Sequence, residues 1–573
     1  MGYFLKKTNN KKGTYLQIYE SFYNPEKKHT SHKSIKPLGY VDDLIKSGIS
    51  DPIVHYQEVI DEMNEKRLQE KQKIKNKMKL QDQPPLQYYG YFPAKAINEG
   101  LGVEKDMAIL QLAYGLRSSL FDLLSCLVYA RIVKPCSKYR TFQDVIPYLC
   151  EEANFSLDQL YAGLSILGNE YKKIIEIYND KISSHYSRDT SNTYFDCTNF
   201  FFEIDAEDSL RRKGPSKENR KSPIVSMGLL LDADCIPLGM KIFPGNQSEK
   251  PIYREVIKDL KSRNNISGKT IRIADKGLNC GDNIMDTLVT GDGYLFSKSV
   301  KTLPEKEKVW VLLDQDYVDV KDKKGNILYR YKSCVDDFEY TYTDANGKKR
   351  KAILCEKRVV TYNPKLARKQ KREIKKEVDK ASNATLGDTK RKEFGDKAKY
   401  ITVTVSDENG NAVGEKIKLE LNNDAINKAL QMAGYNMLVT SEIKMDDRKI
   451  YESYHNLWRI EESFKVMKSE LDARPVYLQD ENRIKGHFLM CYISVLLVRL
   501  LQIRELNDEF GYAEIMDYMR DAKVVKASPH KTVNLTKKCP VMRKLIELTK
   551  LPLDNFYFTS TEIKKIVRYK FKH

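Results

Sequence analysis

A chain of 573 residues, 41% of them hydrophobic, carries apolar material for roughly three to five packed domains, and its composition excludes a disordered protein. Its 98 Lys and Arg against 79 Asp and Glu leave a formal net charge of +19, which suits a polyanionic partner, nucleic acid being the usual one. The 10 cysteines are scattered, with no C-x-x-C pair and no paired histidines nearby, which argues against a structural zinc site and fits a reducing compartment.

Residues 1–51 alternate aromatic and polar side chains, as in Tyr15-Leu16-Gln17-Ile18-Tyr19-Glu20, around a basic loop at 27–33, and predict a small β arm. No signal-peptide-like apolar region follows Met1, so a cytoplasmic protein is expected. Residues 52–85 read as a charged linker helix ending before Pro84-Pro85, and 86–189 as a helical region. Near residue 190 the period changes from helix to strand. Strands are expected at 191–203, 225–231 and 237–243, then a helix at 251–263 and a strand at 270–274, so 190–300 forms the first part of an α/β core. Residues 301–434 read as a β-rich insertion, with strands at 309–313 and 399–405, turns at Asn346-Gly347 and Asn409-Gly410, and a basic helix over 365–380. The core resumes at 435–510 with a strand at 434–440, a long amphipathic helix over 446–471 and a further helix at 487–505. The longest apolar stretch, 488–501, contains Arg499 and is shorter than the about 20 residues that span a bilayer, so no membrane contact is expected. Short helices are expected to fill 511–573.

Three acidic positions carry potential chemistry. Asp196 lies in Thr193-Tyr194-Phe195-Asp196-Cys197-Thr198, and a carboxylate among aromatics on a strand is costly to bury without a partner. A metal ion would be such a partner; the plainer reading is a strand end capping a turn. Asp275 follows the apolar Ile271-Arg272-Ile273-Ala274, at the carboxyl end of a strand, where α/β folds place site residues and where ordinary turns also fall. Tyr454, Glu461 and Lys468 are spaced by seven (461 − 454 = 468 − 461 = 7). At about 100° per residue they share one helix face, with Glu462 pointing roughly 80° the other way. Such a face is also what a solvated helix presents.

Tyr454, Glu461 and Lys468, set in Leu457-Trp458-Arg459-Ile460-Glu461-Glu462-Ser463-Phe464 and followed by Arg474-Pro475-Val476-Tyr477, resemble the signature helix of cut-and-paste transposases from bacterial insertion sequences. The pattern of that helix is tyrosine, arginine, glutamate, lysine. Phe195-Asp196-Cys197-Thr198, Phe243-Pro244-Gly245-Asn246 and Ile273-Ala274-Asp275-Lys276-Gly277 resemble the same family, and the similarity spans roughly residues 100–505. The resemblance implies an α/β ribonuclease H-like catalytic core interrupted by the β-rich insertion, a mixed or helical N-terminal DNA-binding region, and a helical C-terminal region. It implies Asp196, Asp275 and Glu461 as the catalytic, metal-binding triad for two Mg²⁺ ions, with Mn²⁺ able to substitute. Tyr454 and Lys468 would contact DNA phosphate near the cut, Arg459 is a further candidate DNA contact, and Arg368, Lys369, Lys371 and Arg372 of the basic helix would contact its backbone. The implied partners are double-stranded DNA, both terminal inverted repeats and target, and a second copy of the chain on DNA, at the nucleoid. One position departs from the pattern: the family's arginine falls on Leu457, and Arg459 lies about 200° around the helix from it. A two-metal nuclease that does not join ends, or a domesticated DNA-binding derivative, are the alternatives.

Overall fold

The computed structural model describes residues 2–24, 29–76, 86–217, 221–263, 266, 268–382, 399–406, 416–528 and 531–571. Residues Met1–Pro85 form one compact unit and Leu86–His573 another. In the first, β1 (Tyr3–Asn10), β2 (Gly13–Asn24) and β3 (His29–Tyr40) make an antiparallel sheet in chain order. The alternation seen in the sequence turns Leu16 and Ile18 inward. The charged helix Pro52–Asn76 is fastened to this sheet. The Asn64 amide accepts from Tyr3 N–H at 2.8 Å and donates to Tyr3 O at 2.9 Å, and Arg67 pairs with Glu20 at 2.7 Å.

The second unit is built on a nine-stranded sheet. Its strands in chain order, after a short β4 (Leu86–Tyr88), are β5 (Asn192–Phe201), β6 (Ile224–Leu231), β7 (Pro237–Pro244), β8 (Ile271–Ala274), β9 (Gly293–Lys298), β10 (Val318–Lys321), β11 (Ile327–Thr343) and β12 (Lys349–Tyr362). A separate pair, β13 (Ile401–Ser406) and β14 (Lys416–Leu421), follows, and β15 (Tyr435–Thr440) returns to the main sheet. The order across that sheet is β10-β11-β12-β15-β9-β8-β5-β6-β7. β5, β6 and β7 are antiparallel neighbours, whereas β8 runs parallel to β5, and β9 parallel to β8. The five strands β5–β9 therefore lie in the order third, second, first, fourth, fifth, consistent with a ribonuclease H-like core.

Both faces of this core are covered, which is why β6 reads as an unbroken apolar run, Ile224-Val225-Ser226-Met227-Gly228-Leu229-Leu230-Leu231, all buried. Helix Glu249–Arg263 packs Tyr253, Val256 and Ile257 against Phe195 and Cys197 on one face. On the other face Tyr194, Phe200 and Ile273 join the larger core formed by the helices of 86–189 and helix Glu481–Leu500. That helix crosses helix Leu157–Asn169 at very short range: a Cβ on Gly486 would lie 2.2 Å from Leu164 O, and one on Gly168 would lie 1.7 Å from Asn482 O. Only glycine lets the backbones meet there. With its extension to Glu505 this helix is long and apolar enough, by length and composition, to cross a membrane, contrary to the sequence estimate; here it is packed inside the protein.

Three local expectations are corrected. Residues 309–313 are not a strand: 309–312 belong to helix Glu305–Leu312 and Leu313 caps its end; the helix starts after Pro304 with Glu305 and Glu307 in its first turn. The helix expected over 446–471 is broken into Asp447–His455 and Trp458–Lys465, followed by a π turn, Val466–Glu470. Across the break the backbone tightens to i→i+3 bonds, Leu457 N to Tyr454 O and Ile460 N to Leu457 O, as Leu457 turns into the core. The C-terminal region is not purely helical: β16 (Lys523–Ser528), β17 (Lys531–Asn534) and β18 (Tyr557–Phe558) form a four-stranded sheet with β4.

In the insertion, β11 and β12 form a long hairpin whose turn holds Asn346-Gly347, with Gly347 at φ 75°. The other turn signal, Asn409-Gly410, lies outside the described residues. The basic helix spans Pro364–Ser382, burying Ala367, Ile374 and Ala381.

Candidate active site

Strand parity decides where the first two carboxylates point. Tyr194 and Phe200 face the larger core, so Asp196, an even number of residues away, faces the same side; Ile273 sets the side of Asp275 in the same way. The parallel register pairs Phe195 with Ala274, which brings the two aspartates to the carboxyl ends of neighbouring strands. Helix Trp458–Lys465 covers this face through Ile460 and Phe464, with Leu457 just before it.

Asp196 is half-buried. Its Oδ1 accepts from Cys197 N–H at 2.7 Å and lies 3.5 Å from Lys217 Nζ. Burial pushes its carboxyl up to about 6, and the neighbouring Glu249 and Asp275 act in the same direction, against the pull of Lys217. Lys217 also stands 3.6 Å from Glu249 and donates to Cys197 O. Although burial opposes its charge, the two carboxylates hold its ammonium above the usual lysine range. The Tyr454 hydroxyl donates to Asp275 Oδ1 at 3.1 Å. Burial first, then the charges of Asp275 and Glu461, hold this phenol well above its ordinary range. Tyr454 thus lies within electrostatic reach of both acids.

The two adjacent glutamates have different surroundings. Glu461 is exposed, and no hydrogen bond or ion pair engages it among the described residues. Glu462 accepts from the fully buried Arg499 at 3.0 Å. Among the described residues no group of three His, Cys, Asp or Glu is closed around one position able to hold a metal ion. Asp196 and Asp275 are brought together; Glu461 stands on the covering helix, not in a closed cage with them.

The other predicted contacts are spread out. Lys468 Nζ sits 5.6 Å over the ring of Phe200, on the strand that carries Asp196. Arg459 is held by Asp508 at 2.5 Å and lies over Trp458, so its guanidinium already has a carboxylate partner. Arg368, Lys369, Lys371 and Arg372 are all exposed on the basic helix. A cavity of about 300 Å³ is lined by Tyr454 together with Lys276, Tyr329, Asn363, Tyr435 and Tyr451. Sequence reasoning missed Lys217 and Glu249, which reach Asp196 from a loop and from a helix start; neither stands out in its own segment.

A family model described as "Transposase DDE domain" matches residues 201–497, a span that includes Asp275 and Glu461. Among solved structures, the cryo-EM structure of a piggyBac transposase synaptic complex with hairpin DNA is similar at 8% identity and a TM-score of 0.34, over 76% of this chain and 80% of that one. No curated protein matches.

Proposed function

The chain belongs to the transposase DDE domain family, and from that premise we propose that it cuts DNA at the ends of an insertion sequence and joins them to a target, with Asp196, Asp275 and Glu461 as catalytic carboxylates. The observation that carries this reading is the placement of Asp196 and Asp275 at matching ends of two parallel strands, on the face that the Glu461 helix covers. DDE transposases use divalent metal ions. The residues fit one: the donors are hard oxygens alone, suited to Mg²⁺ with Mn²⁺ as substitute, and burial, with Glu249 and Asp275 nearby, raises the cost of the bare Asp196 carboxylate. Bound there, two ions supply an activated water and charge stabilisation for displacement at phosphorus.

In this reading water first breaks a phosphodiester, freeing a 3′-OH at the element end. That hydroxyl then attacks a target phosphodiester and displaces the target's 3′-oxygen. Tyr454 fixes the rotamer of Asp275 through its hydroxyl, and Lys217 keeps positive charge beside Asp196. Lys468 offers phosphate a point charge next to the strand that carries Asp196. Residues 1 to about 185 recognise the terminal inverted repeats, and two copies of the chain pair two ends at the nucleoid.

The reading is tested on labelled DNA carrying the element's ends, with Mg²⁺ or Mn²⁺. Cleavage followed by joining supports it; cleavage without joining points to a nuclease, and binding without cleavage under either ion to a DNA-binding derivative.

The state of Asp196 gives a pH prediction. Its folded carboxyl titrates at about 6 against an ordinary 3.8, so the folded chain holds a proton that the unfolded chain has released. The contribution of this group to stability therefore falls as pH rises from 3.8 to about 6. A cation must displace that proton, so Mn²⁺ affinity measured by calorimetry is expected to weaken about tenfold per pH unit below about 6. Affinity unchanged from about pH 5 to 7 would remove Asp196 from the binding set.

The basic helix is expected to grip DNA backbone. Changing Arg368, Lys369, Lys371 and Arg372 together to Gln should weaken binding to all sequences and lower the slope of log affinity against log salt by about 0.9 per lost phosphate contact. An unchanged slope would place the helix outside the interface. Stability should hold, since all four are exposed.

A further inference from the structure

Away from the carboxylates, a cavity of about 240 Å³ opens where the helices of 86–189 meet the segment that follows the Val466–Glu470 turn. Three nitrogen-bearing side chains line it: Arg131 at 4% exposure, Lys138 at 5% and His487 at 5%. The hydrogen bonds fix their roles. His487 Nε2 lies 3.2 Å from Ala473 O and so carries the proton, leaving Nδ1 to accept from Lys138 Nζ at 3.0 Å. Arg131 Nη1 donates to Leu471 O at 3.3 Å. Every partner in this cluster is neutral: among the described residues neither Arg131 nor Lys138 forms an ion pair. The one acidic lining residue, Asp472, is exposed.

Two cationic side chains buried together without a carboxylate are an expensive arrangement. Lysine can escape by losing its proton, and burial together with Arg131 does drive Lys138 well below its usual range. Arginine has no such escape. Both retain N–H donors beyond those described, beside an open cavity. At the rim stand Tyr139 and Tyr477, 57% and 71% exposed.

We propose that this cavity is a binding site for a single phosphate-type oxyanion, gripped by Arg131 and Lys138. A tetrahedral anion supplies the missing negative charge and accepts from both side chains, with His487 orienting the lysine. The phosphate is either a backbone phosphate of bound DNA, which rests on the transposase reading, or a free phosphate, which does not. The exposed tyrosines suit the first, since they offer stacking faces to a strand whose phosphate enters between them.

The test uses the full chain, titrated with inorganic phosphate while ³¹P line width and melting temperature are followed. Wild type should broaden the phosphate signal and melt higher with phosphate, and Lys138→Met should do neither. Lys138→Met removes the buried amine and keeps an unbranched side chain of nearly the same length, and melting without phosphate checks that it folds. If the source is DNA, saturating duplex abolishes phosphate binding, and Lys138→Met lowers the salt slope of DNA binding by about 0.9. If the source is free phosphate, duplex and phosphate bind together. No phosphate-dependent change in wild type, with the same DNA slope in both proteins, overturns the proposal while leaving cleavage and joining to be judged separately.

Discussion

Glu461→Gln is expected to lower DNA cleavage by on the order of 10³-fold, the scale on which single charge-stabilising groups act, while DNA binding and folding are kept. The side chain is exposed and no hydrogen bond or ion pair engages it among the described residues, so the change removes a charge and little else. Asp196→Asn and Asp275→Asn should give losses of the same order, because each deletes one hard anionic donor from the same centre. Gel-resolved cleavage in Mg²⁺ and in Mn²⁺, beside a binding assay, separates the effects. Glu461→Gln cutting at the wild-type rate would remove Glu461 from the chemistry and turn attention to Glu249, the other carboxylate beside Lys217 and Asp196.

One residue along the chain the expected outcome reverses. Glu462→Ala should destabilise the fold by about 3 kcal/mol, the usual cost of leaving one partner of a buried pair behind. Arg499, with no exposed surface, reaches Glu462 at 3.0 Å, Gln502 at 2.7 Å and Ser463 at 3.1 Å, and its Nε has no hydrogen-bond partner among the described residues. Removing the carboxylate strands a guanidinium that cannot discharge itself. Denaturant unfolding reads this directly; a loss below about 1 kcal/mol would mean that the pair is solvent-screened. Together the two variants should part function from stability at adjacent positions.

The pattern of residues disclosed the central sheet because its strands are short apolar runs set off by turns, as at 224–231 and 271–274. The basic helix was equally plain, since its charges outnumber everything else in the segment. Val309-Trp310-Val311-Leu312 misled because a short apolar run suits a strand or a buried helix alike, and only Pro304 and the acids after it favour the helix. The break near Leu457 comes from a tertiary pull on one leucine, which no helical period records. It also means that arithmetic at 100° per residue does not carry across from Tyr454 to Glu461, even though both serve one face. Among the C-terminal strands β16 was hidden in part because one of its partners, β4, lies more than 400 residues upstream (523 − 88 = 435). Lys217 and Glu249 were hidden because neither stands out in its own segment; only the fold brings them to Asp196.

The insertion does not hang from the core as a separable lobe. β12 hydrogen-bonds to β15 and β15 to β9, so its strands continue the sheet that holds Asp196 and Asp275. A chain trimmed of residues 301–434 would therefore not be a smaller version of the same protein. It would present β15, with its apolar Met437-Leu438-Val439, as a bare margin whose backbone donors and acceptors seek another strand, and self-association would precede any loss of chemistry.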